Sequence, residues 1–329
     1  MPASFPLTPG QRGESVRDLQ RRLAAAGFPS GSTAQVGTFC VATAEALMRF
    51  QRVRGLRVTS VCDEETWRAL VEASWKLGDR LLVHTSPNLR GDDIAELQGL
   101  LARLGFDCGR VDGIFGPLTA RALADFQSNC GLASDGVCGG ETVRALSRVI
   151  AHTGSGPGVA AVRERERLRH APASLTDLRV VVGQFGGLST ISRVVSRDLR
   201  TAGAHVMTLD EPDPVAQAIT ANQFVAQLYI GFEAGTGDES VIHHYQVPSF
   251  ESIGGRTLSH CLTAALRAGG VSVAEPAGMR LPVLRETKMP AVVCAMSPVR
   301  PAVDAADAIA VAVVWSLERW LDLCTLAVD

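Results

Sequence analysis

The first half of this 329-residue chain repeats itself, and a repeat built from short helical patterns admits few folds. "GESVRDLQRRLAAAGF" (residues 13–28) matches "GDDIAELQGLLARLGF" (91–106), with Leu19/Leu97, Gln20/Gln98, Leu23/Leu101 and Gly27/Gly105 in register. "TAEALMRFQRVRGL" (43–56) matches "TARALADFQSNCGL" (119–132), and "VCDEETWRAL" (61–70) matches "VCGGETVRAL" (137–146). Apolar residues at i, i+3 and i+7 mark one face of a helix that a glycine ends. Three such helices recur in one order, so residues 8–73 and 86–149 are expected to be two small all-α three-helix modules in tandem.

A Gly/Ser/Pro stretch, "AHTGSGPG" (151–158), then reads as linker, and the alternating charges of "RERERLRH" (163–170) as a solvated helix face. The linker is placed over 150–174. Beyond it the pattern alternates. Strands are expected at 179–182, 205–209, 224–231, 241–246 and 291–296, and helices at 191–202, 214–222, 254–267 and 303–323. This is the signature of an α/β domain over 175–329 with a mostly parallel sheet covered on both faces.

Composition removes some functions. The 32 basic and 34 acidic residues are interspersed and leave a net charge of −2, so no basic stripe exists for nucleic acid. The longest apolar run, 309–317, is bracketed by Asp304, Asp307, Glu318 and Arg319 and is far short of the roughly 20 residues of a membrane span. The N-terminal segment lacks a charged leader followed by an apolar stretch, and the eight cysteines form no CxxC pair. A cytoplasmic protein with reduced thiols is the expectation. Cys62 and Cys138 hold the same place in each repeat, which suits packing within each module better than a bridge between them.

The repeats resemble the peptidoglycan-binding module found in bacterial cell-wall hydrolases, with its L-Q, F-Q and D-G-x-x-G elements. The second copy keeps Asp112-Gly113-Ile114-Phe115-Gly116 and Asp135-Gly136-Val137-Cys138-Gly139, whereas Val36 and Thr59 replace the aspartates in the first, degenerate copy. Taken alone, each Asp-Gly supplies a turn. The resemblance implies a glycan or stem-peptide groove beside these turns, with Asp112, Gly113, Phe115, Asp135 and Gly136 as candidate ligand-binding residues.

The α/β half resembles the zinc-dependent N-acetylmuramoyl-L-alanine amidases, and within them the actinobacterial CwlM-like group, through "SIGGRTLSHCLTAAL" (252–266) and "TKMPAVVCAMS" (287–297). That family's chemistry implies two histidines and a glutamate on zinc and a further glutamate as base. In "VVVGQFGG" (180–187) the first histidine is Phe185, and the loop that carries the glutamate ligand is missing between Gly187 and Ile191. The second histidine aligns with Glu233 and the catalytic glutamate with Ala295. Neither metal nor other cofactor is expected. His243 and His244 are neighbours on a strand and point to opposite faces, with His260 on the next helix, and Cys294 has no histidine placed to activate it. The resemblance therefore implies a non-catalytic pseudo-amidase that binds peptidoglycan fragments or lipid- or nucleotide-linked precursors. Its partners would be enzymes or transporters of precursor synthesis, with control of the first committed step, UDP-N-acetylglucosamine enolpyruvyl transfer. The alternative is a zinc amidase with a shifted or residual site.

Overall fold

The computed structural model describes the chain apart from residues 1–4, 32–34, 151–158, 248–249 and 327–329. It divides into two compact units, Met1–Ala160 and Ala161–Asp329.

The first unit holds both expected modules: α1 (Glu14–Ala25), α2 (Val41–Val53) and α3 (Glu64–Glu72), then α4 (Asp92–Arg103), α5 (Pro117–Asn129) and α6 (Gly140–Ile150). The i, i+3, i+7 positions Val16, Leu19 and Leu23 are all buried and meet Leu47, Phe50 and Leu70. Ile94, Leu97 and Leu101 are likewise buried in the second module, as are Leu123, Phe126 and Leu146. Each first helix ends at a left-handed glycine, Gly27 (φ +87°) or Gly105 (φ +93°), which lets the Phe28 and Phe106 amides turn back to the carbonyls of Leu23 and Leu101. Isolated bridges Leu7↔Cys62 and Leu82↔Cys138 close the two modules. Both cysteines lie buried in their own module, and all eight thiols of the chain are free. Between the modules, the Arg54 guanidinium grips the Asp92 carboxylate in a two-pronged pair at 2.5 and 2.6 Å.

In the second unit, α7 (Val159–Arg169) precedes β1 (Arg179–Gln184), α8 (Ser189–Thr201), β2 (His205–Leu209), α9 (Pro214–Gln223) and β3 (Leu228–Ala234). There follow β4 (Val241–Val247), β5 (Phe250–Glu251), α10 (Ile253–Ala268), β6 (Ala277–Met279), α11 (Pro282–Glu286), β7 (Ala291–Met296), α12 (Val299–Asp304) and α13 (Ala306–Leu326). The strand order is β2-β1-β3-β7-β4-β5, with β6 also on β4. β2, β1, β3 and β7 run parallel, and β4 is antiparallel to β7. One face packs Val180, Val182, Ile230 and Phe232 on Ile191, Val195, Leu258, Leu262, Ile309 and Val313 of α8, α10 and α13. The other packs Val181, Tyr229 and Val293 on Ala218, Ala221, Val283 and Leu284 of α9 and α11. The mostly parallel, doubly covered sheet matches the sequence pattern. Among the described residues no helix is long and apolar enough to cross a membrane.

Three local expectations need correction. The strand expected over 224–231 starts only at Leu228, because Phe224 caps α9, donating to Thr220 O, and Val225 takes a left-handed φ of +53°. The closing helix expected over 303–323 is two helices, α12 and α13, meeting at Ala305. The charged stretch 163–170 is not wholly a solvated face. Glu164 accepts hydrogen bonds from Ser252 Oγ (2.6 Å), Ile253 N (3.1 Å) and Gly254 N (3.2 Å) at the start of α10.

Candidate functional site

In a parallel sheet the carboxyl ends of neighbouring strands share one edge, and chemistry collects there. β1, β3 and β7 are such neighbours. Glu233 and Ala295 are Cα partners across β3 and β7, and Phe185, one residue past β1, donates its amide to Phe232 O at 3.0 Å. The three positions singled out in sequence therefore do converge. β1 ends at Gln184 and α8 begins at Ser189, so the connection has room for no ligand-bearing loop. A phenyl ring, a methyl group and one carboxylate do not make a zinc site, which takes three or four nitrogen, sulfur or oxygen donors. Among the described residues no cluster of three His, Cys, Asp or Glu side chains could hold a metal ion.

The space at this edge is also filled. Gly183 and Gly231 leave room over β1 and β3, and larger neighbours occupy it. Tyr229 Oη donates to Gln217 Oε1 at 2.7 Å, and Gln217 Nε2 donates to the carbonyls of Gln184 (2.8 Å) and Glu211 (2.5 Å). A Cβ on Gly183 would meet Gln217 Oε1 and Tyr229 Oη, and one on Gly231 would lie 3.1 Å from the Phe185 ring. Glu233 is 8% exposed. Burial first, and the Glu233 carboxylate second, push the Tyr229 phenol and the Cys294 thiol up from their ordinary values. Cys294 is thus a protonated core thiol and no nucleophile.

The histidines do not rebuild a centre. His244 is buried, with Nε2 3.0 Å from Glu251 Oε1 and Nδ1 3.3 Å from Ser259 Oγ. Burial lowers its pKa, and the Glu251 carboxylate opposes that shift without overcoming it. His243 alternates to the other face of β4, and His260 is exposed on α10.

In the helical modules the glutamines of the L-Q and F-Q pairs explain the turns. Gln98 Nε2 donates to Asp112 Oδ1 (2.9 Å), Ile114 O (3.1 Å) and Thr119 Oγ1 (3.1 Å), while its Oε1 accepts from the amides of Asp112 and Gly113. Gln127 does the same with Asp135 Oδ1 (2.9 Å), Val137 O (3.0 Å), Thr142 Oγ1 (3.1 Å) and the Gly136 amide. Asp112 and Asp135 each also cap an amide two residues on, Ile114 N and Val137 N. Those backbone and glutamine donors hold the exposed Asp135 carboxyl below its usual range. In the first module the Gln35 carbonyl and the Thr59 hydroxyl take over as acceptors for Gln20 and Gln51, so losing the aspartates leaves the turns intact. Gly113 (φ +72°) and Gly136 (φ +67°) supply the left-handed step. The candidate residues are thus turn scaffold, and Phe115 is fully buried and offers no face to a ligand.

Cys40, unmarked by any motif, precedes the first residue of α2. The Thr43 hydroxyl and then the Thr43 amide lower its thiol to about 7. The position before a helix was the legible signal.

Against known proteins, residues 12–70 and 90–146 match the family model described as "Putative peptidoglycan binding domain". The chain is 38% identical over 182 residues to N-acetylmuramoyl-L-alanine amidase CwlM of Mycobacterium tuberculosis, covering 53% of this chain and 45% of that protein. It is 30% identical over 164 residues to N-acetylmuramoyl-L-alanine amidase CwlL of Bacillus licheniformis, covering 44% and 46%. The chain thus spans about half the length of these relatives. Among solved structures, an N-acetylmuramyl-L-alanine amidase of Mycobacterium smegmatis aligns at a TM-score of 0.39 and 12% identity, covering 46% of this chain and 99% of that one. The two halves of the first unit each match this peptidoglycan-binding domain model and stand in tandem ahead of an α/β domain.

Proposed function

We propose that the chain is a non-catalytic protein of peptidoglycan metabolism, whose helical modules bind peptidoglycan fragments or lipid- or nucleotide-linked precursors. Its α/β domain is a pseudo-amidase that serves as an interaction surface in regulating wall synthesis from the cytoplasm, facing enzymes or transporters of precursor synthesis. The observation that carries this reading is the filled edge at Phe185, Glu233 and Ala295, where one carboxylate stands in place of a metal centre and its base. The amidase names of the relatives favour a second reading, a zinc amidase with a shifted or residual site. Metal analysis of protein purified without chelator, joined to a muropeptide cleavage assay, separates the two. Sub-stoichiometric zinc and no cleavage are expected; stoichiometric zinc lost together with cleavage on chelation would establish the enzyme instead.

A further inference from the structure

One difference between the modules lies at the start of their second helices. In the second module, Gly109 (φ +79°) is roofed by Leu118, whose Cδ1 lies 3.1 Å from where a Cβ would stand. Gly31 holds the equivalent place in the first module, four residues past the aligned Gly27/Gly105, with a φ of +78° and, among the described residues, nothing within 4 Å of a Cβ built there. Thr43 aligns with Thr119, so the counterpart of Leu118 is Ala42. Replacing leucine by alanine removes the roof. A cleft of about 570 Å³ opens there, lined by Phe28, Pro29, Ser30, Ala42, Glu45 and Arg49 together with Gly27 and Gly31.

The lining is chemically specific. Glu45 and Arg49 stand one turn apart on α2 and are both exposed. Arg49 Nη2 donates to Pro29 O at 3.0 Å, which fixes the guanidinium against the wall and leaves its other donors for a ligand. Glu45 makes no ion pair among the described residues. Ser30 Oγ is screened from solvent and has no hydrogen-bond partner among the described residues, so a polar ligand group would satisfy it. In the second module the same helix positions are Arg121 and Asp125, with the charges exchanged, beneath a closed roof.

We infer that the degenerate first module, through the Gly31–Ala42–Glu45–Arg49 cleft, binds a zwitterionic group that presents an ammonium to Glu45 and a carboxylate to Arg49. Resting on the peptidoglycan reading above, this names the part of the ligand that is recognised: the side-chain end of a diamino-dicarboxylic acid in a stem peptide, which carries both charges on one carbon. A lysine in the same place offers only the ammonium.

The test is calorimetry of the full chain with two muramyl tripeptides, one ending in meso-diaminopimelate and one in lysine. The diaminopimelate ligand is expected to bind at least tenfold more tightly. Ala42→Leu, which copies the roof of the second module onto a helix that tolerates leucine, should weaken it at least tenfold, and Arg49→Gln should abolish the preference between the ligands. Equal affinity for the two, or binding within twofold of the parent after Ala42→Leu, would overturn the cleft and leave the peptidoglycan reading standing. Binding of neither ligand would overturn both.

Discussion

Glu164 on α7 and Ser252 before α10 share a 2.6 Å hydrogen bond, and the same carboxylate accepts from the first amides of α10. A negative charge at a helix N-terminus meets unsatisfied N–H groups and the positive end of the helix dipole. Ser252 in turn caps Gly255 N at 3.1 Å, so the cap is built from two side chains in series. Glu164→Ala is expected to cost about 1–2 kcal/mol, the range of a lost helix cap. Hydrogen exchange reads it locally: amides 253–255 should lose protection while those of β1 and β3 do not. Unchanged protection at 253–255 would show that Ser252 suffices alone.

At the sheet edge, Phe185→His by itself is expected to bring neither zinc nor muropeptide cleavage. Glu233 would be the one carboxylate opposite it, Ala295 supplies no base, and Tyr229 and Gln217 fill the neighbouring space over Gly183. Conversely Gly183→Ala should destabilise the α/β unit by about 1–3 kcal/mol, the usual cost of overpacking, since the new methyl would meet Tyr229 Oη at 2.6 Å. Cleavage by the single histidine variant, or full stability with alanine at 183, would show the edge to be more open than these contacts allow.

Much of this was legible in the chain. The repeat fixed the modules because the same i, i+3, i+7 leucines and the same terminal glycines recur, and those determine helix faces and ends locally. The convergence of positions 185, 233 and 295 was legible only through the amidase resemblance, which aligns all three with one zinc site. Occupancy was not: that Gln217, from α9, fills the room above Gly183 depends on packing between elements 34 residues apart, which no periodicity encodes. Phe115 misled for a related reason, since an aromatic in a turn motif suggests a ligand platform until its burial is seen. Glu164 sat in an alternating charge run, where a single inward carboxylate leaves no mark.

Cys40 should be the fast-reacting thiol. Hydrogen bonds from Thr43 bring it to about 7, while burial pushes Cys62, Cys108, Cys138 and Cys324 up to about 12. Because the thiolate is the nucleophile, alkylation of native protein at pH 7.5 is expected to label Cys40 first, with a rate that rises between pH 6 and 8 around a midpoint of about 7. Peptide mapping checks the site, and Cys40→Ser should remove the fast phase. A fast phase that survives this change would place the reactive thiol elsewhere.

The last expectation concerns pH and follows from His244. Its folded pKa is depressed, chiefly by burial, with Glu251 pulling upward and His260 and Arg256 adding to the depression. An unfolded histidine titrates near 6.5. Between that value and the lower folded one the unfolded chain binds a proton that the folded chain does not, so stability is full above about 6.5 and is lost as pH falls through the folded value. The limiting slope for one proton is about 1.4 kcal/mol per pH unit. Urea unfolding of the α/β unit, followed between pH 5 and 7.5, should therefore show stability rising with pH through this window. His244→Gln, which keeps a donor for Glu251 without a titrating ring, should flatten the rise relative to the parent; an unaltered slope in that variant would assign the dependence to other groups.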